Sequence, residues 1–129
     1  MRSLKVTLHV LILAGMIFLA AGLAAAQEAR PRLAQVIYIT QSKDCGCTEK
    51  RYRAADAAVD KVFAGPRRQL VKRIDYSVDR QAAVPYIGEY RLNMLPALLF
   101  LDAQDHLLWS ALGVITEEDV QEKFNQFGG

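Results

Sequence analysis

Net charge is scarce in this chain of 129 residues: 16 lysines and arginines face 14 aspartates and glutamates, a surplus of +2. Both surplus cations, Arg2 and Lys5, fall in the first 26 residues, which hold no acid, so the rest of the chain is neutral. A neutral domain has no net field to neutralise phosphates, which excludes a polybasic nucleic-acid reader and leaves nucleic acid out as a partner. Histidine and cysteine are equally sparse, with two of each, and His106 is the one histidine beyond residue 26. A closed zinc site takes about four such ligands, so the composition argues against one. Internal repeats and low-complexity tracts are missing too. What remains is 52% apolar and 9% aromatic, which fits one folded domain rather than a disordered chain.

The apolar residues are not evenly spread. Arg2 and Lys5 precede an apolar run from Val10 to Leu23, and Ala24-Ala25-Ala26 places small residues where a signal peptidase cuts, ahead of Gln27. This is the pattern of a secretory signal peptide over residues 1–26. The alternative is an uncleaved membrane anchor, because Val6 to Ala26 spans about the twenty residues that cross a bilayer. His9, Gly15 and Gly22 weaken that alternative, and no cysteine closely follows the run to carry a lipid. Either way the expectation is an exported domain, periplasmic or otherwise extracytoplasmic, where disulfides persist. Residues 27–33 read as a tether and 34–129 as the domain.

Within that domain, Ala34 to Thr40 is β-branched and aromatic, nearly continuous in apolarity, and predicts a strand buried on both faces. Beyond the polar turn Gln41–Cys47, residues Tyr52, Ala55, Val59, Val62 and Phe63 recur at helical steps from Thr48 until Gly65-Pro66. Gln69 to Asp75 predicts a second strand. Asp79 can cap a helix, but Pro85 and Gly88 predict that it is broken or split into two short turns. Ala97 to Leu101 and His106 to Leu112 predict a hairpin about Asp102–Asp105, ended by Gly113. Thr116-Glu117-Glu118-Asp119 opens a last helix whose stripe is Val120, Phe124 and Phe127. Helical crossovers followed by a hairpin imply an α/β fold with a mixed four-stranded sheet flanked by about three helices.

The chemistry concentrates at Cys45-Gly46-Cys47, between a buried strand and a helix N-terminus. Unpaired N–H groups and the dipole of that terminus stabilise a thiolate. Lys43, Lys50 and Arg51 add to the effect, while Asp44 and Glu49 oppose it. Residues two apart on a helix point about 200° from one another, so Cys45 is expected in the preceding turn, with Gly46 supplying the backbone angles that closure needs. A disulfide across one residue closes a tight, easily reduced ring and removes little chain entropy, so redox chemistry outweighs a structural bond. The competing use of the thiols is Cu(I) binding, with Met94 as a further soft ligand. Trp109 and Tyr52 read as packing residues, and His106 as a solvated turn residue.

Together, the strand, the cysteine motif opening a helix, Leu95-Pro96-Ala97 leading into a hairpin, Gly113 and the acid-capped last helix resemble the thioredoxin-like fold family. The stretch Tyr90–Phe100 is similar to the thioredoxin segment that holds its cis-proline. The resemblance covers about residues 34–127 and departs from the family in several ways. The motif is C-x-C rather than C-x-x-C, Asp44 stands where a tryptophan is usual, and the first strand lacks the buried acid. It implies Cys45 and Cys47 as the catalytic pair, with Gly46, Leu95 and a cis Pro96 shaping the substrate side. Which cysteine attacks stays open, with Cys45, in the turn, preferred. The implied activity is thiol–disulfide exchange with protein thiols or disulfides, with a membrane redox protein as a further candidate partner. It needs neither metal nor cofactor, since the sulfurs carry both electrons. The alternative is a Cu(I) or thiol carrier without turnover.

Overall fold

The computed structural model describes residues 30–43 and 45–128. Residues 1–26, expected to form a signal peptide, and the start of the expected tether lie outside the described residues, and no described helix is long and apolar enough to cross a membrane. The elements run β1 (Gln35–Thr40), α1 (Gly46–Val62), a 3-10 helix (Gly65–Leu70), β2 (Val71–Asp75), α2 (Arg80–Glu89), β3 (Ala97–Leu101), β4 (Leu107–Leu112) and α3 (Glu117–Phe127). The sheet order is β2-β1-β3-β4. Strand β1 runs parallel to β2 and antiparallel to β3, and β3 pairs antiparallel with β4.

The continuous apolar run of β1 has the meaning that its sequence implied. Val36 and Tyr38 enter one core with Ala55, Val59, Phe63, Leu98, Phe100 and Val120. Ile37 and Ile39 point the other way, into a core with Ile74, Ala83, Leu99 and Leu101. Helices α1 and α3 cover the first face and α2 the second, which is why neither side of β1 or β3 needs polar residues. Full burial of each large side chain is worth about 1.5–3 kcal/mol, so the two central strands supply much of the stabilisation. Phe63 adds edge-to-face contacts with Phe100 and Phe124, at 5.9 and 5.5 Å between centroids. Trp109 meets Phe100 at 5.1 Å and is a packing residue, as expected.

Three local expectations are corrected. Gln69 and Leu70 belong to the 3-10 helix, so β2 begins at Val71 rather than Gln69. Pro66 at the start of that helix fixes a compatible φ and loses no needed donor. Helix α2 runs unbroken through Pro85 and Gly88. Pro85 forfeits one backbone bond in a ten-residue helix, and the packing of Ala83, Tyr86 and Ile87 against the second core offsets that loss. Helix α1 starts at Gly46, two residues before Thr48, and so takes in Cys47. The caps match their sequence signals: the Asp79 side chain accepts the Ala82 N–H, and that of Thr116 accepts the Asp119 N–H.

Candidate functional site

Parallel pairing of β1 with β2 brings both strand ends, Thr40 and Asp75, to one end of the sheet. Antiparallel pairing brings the start of β3 and the end of β4 there too, as Ile39 faces Ala97 and Ala97 faces Leu112. The loop carrying the cysteines therefore shares this end with Leu95-Pro96 and Gly113.

Cys45 is the N-cap of α1, with extended backbone at φ −71° and ψ 148°. Its carbonyl accepts the Thr48 N–H at 3.1 Å and the Thr48 hydroxyl at 3.1 Å. The same hydroxyl oxygen lies 3.8 Å from the Cys45 sulfur. Cys47 sits within the first turn, and both cysteines are exposed. Cys45 thus occupies the turn, as geometry required. Gly46 lies between the two cysteines, which are not disulfide-bonded. It is the first residue of the helix, its φ is not in the left-handed region, and a Cβ there would meet nothing within 4 Å.

The loop ahead of Cys45 is held by Asp75 and Ser77, which the sequence reading did not single out for the site. One oxygen of Asp75 accepts the N–H of Ser42 at 3.1 Å and of Ser77 at 2.9 Å. The Lys43 N–H donates to the Ser77 hydroxyl at 3.1 Å. Burial opposes ionisation of Asp75, but hydrogen bonds from Ser42 and Ser77 outweigh it and hold the carboxyl below its usual range. The D-x-S pattern after β2 was a readable signal for the turn half of this network. Its reach to Ser42, 33 positions away, was not.

The Leu95-Pro96 peptide is cis, as the resemblance implied. Pro96 is buried and its carbonyl accepts the Gly113 N–H at 2.8 Å, while Leu95 is partly exposed. Between α1 and the loop before β3 lies a cleft of about 450 Å³, lined by Thr48, Arg51 and Tyr52 on one side and by Leu92, Met94 and Leu95 on the other. Met94 packs over Gly113. His106 lies on the hairpin next to β4, at the other end of the sheet, where its Nδ1 lies 3.1 Å from Asp102 Oδ2. Among the described residues, no three His, Cys, Asp or Glu side chains are grouped to hold a metal ion.

No protein-family model matches the chain, and no curated protein matches it. Solved structures do. Thioredoxin from Malassezia sympodialis is 16% identical over 74% of this chain and 80% of its own, with a TM-score of 0.51. The reduced C-terminal domain of DsbD from Neisseria meningitidis is 17% identical over 86% of this chain and 95% of its own, at 0.47. StoA from Bacillus subtilis is 14% identical over 71% and 84%, at 0.43. The likeness to the Malassezia protein agrees with the strand order, the helix opened by Cys45 and the cis-proline before β3. The chain has a thioredoxin-like fold.

Proposed function

We propose that this domain is a thiol–disulfide oxidoreductase that acts on protein thiols or disulfides outside the cytoplasm. The observation that carries the reading is the exposed Cys45 at the N-cap of α1, with Cys47 two residues on, in a thioredoxin-like fold. The first-turn N–H groups favour the Cys45 thiolate over the thiol. That thiolate attacks one sulfur of a substrate disulfide, forms a mixed disulfide and expels the first substrate thiolate. The Cys47 thiolate then attacks the Cys45 sulfur and releases the second substrate thiolate. Two electrons pass to the substrate, and the domain is left with a Cys45–Cys47 disulfide. The reverse sequence oxidises a dithiol. Leu95, Pro96 and Gly46 form the substrate side.

Val78, Met94 and Val114, at 74, 49 and 71% exposure, follow β2, precede β3 and follow β4, all at the cysteine end of the sheet. Such a rim suits a macromolecular substrate. Export rests on the Arg2/Lys5, Val10–Leu23 and Ala24–Ala26 pattern. A membrane redox partner is the natural exchange partner for a domain so placed.

The test is to alkylate the purified protein before and after reduction, weigh it, and incubate the Cys47→Ser variant with a disulfide-bonded test protein. The expected result is two alkyl groups added after reduction and none before it, and a trapped mixed disulfide through Cys45. Stoichiometric Cu(I) retained by the reduced form, with no reduction of the test protein, would instead establish a carrier.

A further inference from the structure

Arg51, whose charge the sequence reading assigned only to the thiolate, also lines the cleft, where it can meet a substrate. It is partly buried on α1, and its Nε is buried without a hydrogen-bond partner. Other arginines of this region are engaged: Arg53 pairs with Glu49, and Arg73 with Asp56 and Asp60. Arg51 carries the one charge among the described residues that line the cleft, and none of them is acidic. The planar fork of arginine matches a carboxylate, and with Nε buried its two terminal nitrogens are the donors left for an acceptor in the cleft. Tyr52 and Tyr76 supply aromatic walls, and a cleft of about 450 Å³ is large enough for a short peptide segment.

Resting on the thiol–disulfide reading, we propose that Arg51 selects substrate polypeptides that carry Asp or Glu close to the exchanging cysteine. Its guanidinium takes the carboxylate while the substrate sulfur meets Cys45. Six residues of helix separate Cys45 from Arg51, about 9 Å along the axis. An extended chain covers that span in about three residues, which places the acid two or three positions from the substrate cysteine. The exposed Val78, Met94 and Val114 around the same sheet end extend beyond what a small thiol would cover, and this favours a polypeptide occupant.

The test measures kcat/KM of the full chain for disulfide-linked peptides with Glu, Gln or Lys three residues from the cysteine. The Glu peptide is expected to react about tenfold faster than the Gln peptide, and the Lys peptide most slowly. Arg51→Gln lowers the Glu peptide to the level of the Gln peptide, and Arg51→Glu inverts the order. Arg68→Gln, in the 3-10 helix, preserves the Glu preference, which separates a local contact from net charge. Equal rates for all three peptides on the wild-type chain would overturn the role of Arg51 and leave the exchange activity standing. No exchange with any peptide would overturn both. An Arg51-dependent preference for oxidised glutathione over cystamine, with no preference among peptides, would overturn the polypeptide assignment in favour of a small acidic thiol. If Arg51→Gln fails to fold by thermal melting, the wild-type peptide series and its weakening by salt still decide.

Discussion

Ser77 and Lys43 clasp one another across 34 positions of sequence: the Lys43 N–H donates to the Ser77 hydroxyl at 3.1 Å, and that hydroxyl faces the Lys43 carbonyl at 3.4 Å. The contact joins the loop after β1, which leads to Cys45, to the turn after β2. Ser77→Ala removes both interactions and leaves the fold otherwise intact. The expected loss is about 1 kcal/mol in urea titration, because the contact is solvent-exposed. Amide exchange at Lys43 is expected to accelerate, while exchange in β1 stays protected. A stability loss without faster exchange at Lys43 would show that the clasp does not order this loop.

The partner of that clasp titrates. The Asp75 carboxyl is held below its usual range by Ser42 and Ser77, so its contribution to stability is fully present above the ordinary carboxylate pKa of about 4. That contribution is lost as pH falls through the lower folded-state value. Asp75→Asn keeps an oxygen to accept the two N–H groups but carries no charge. The variant is expected to be less stable than wild type at pH 7, with the gap narrowing below about pH 4. Denaturant titrations at pH 7 and pH 3 measure this, and a gap that widens in acid would assign the stabilisation elsewhere.

Much of the fold was legible because β1 and β3 are short and apolar throughout, and sheet and helices follow once both faces are known to be covered. The place of the cysteines at a helix start was legible from residue type and order, and the cis bond of Pro96 from the family resemblance. Pro85 misled because propensity weighs one missing N–H without the packing of Ala83 and Tyr86 that offsets it. Asp75 owes its place beside Ser42 to the pairing of β1 with β2, which no local pattern in the sequence records.

Gly113 has φ +73°, and a Cβ there would collide with the sulfur of Met94. Gly113→Ala therefore suffers a backbone cost of about 1 kcal/mol and a steric cost besides. Met94 ends in a flexible chain, so part of the steric cost is relieved by moving it away from the cleft. A double-mutant cycle with Met94→Ala separates the terms. Gly113→Ala is expected to cost less in the Met94→Ala background, by about 0.5–1 kcal/mol, and strict additivity would rule out the contact.

Thr48 couples the helix start to Cys45, the proposed nucleophile. Its hydroxyl oxygen is within 3.8 Å of the Cys45 sulfur and 3.1 Å of the Cys45 carbonyl. When Cys45 ionises, the sulfur becomes the stronger acceptor and the hydroxyl turns toward it. Thr48→Val keeps the shape and removes this donor, whereas Thr48→Ser keeps the donor and removes a methyl group. In the Cys47→Ser background, Thr48→Val is expected to slow alkylation of Cys45 at pH 7 by about threefold, which corresponds to part of one weak hydrogen bond. Thr48→Ser is expected to retain the wild-type rate. Equal slowing by both variants would trace the effect to packing at the helix start rather than to the hydroxyl.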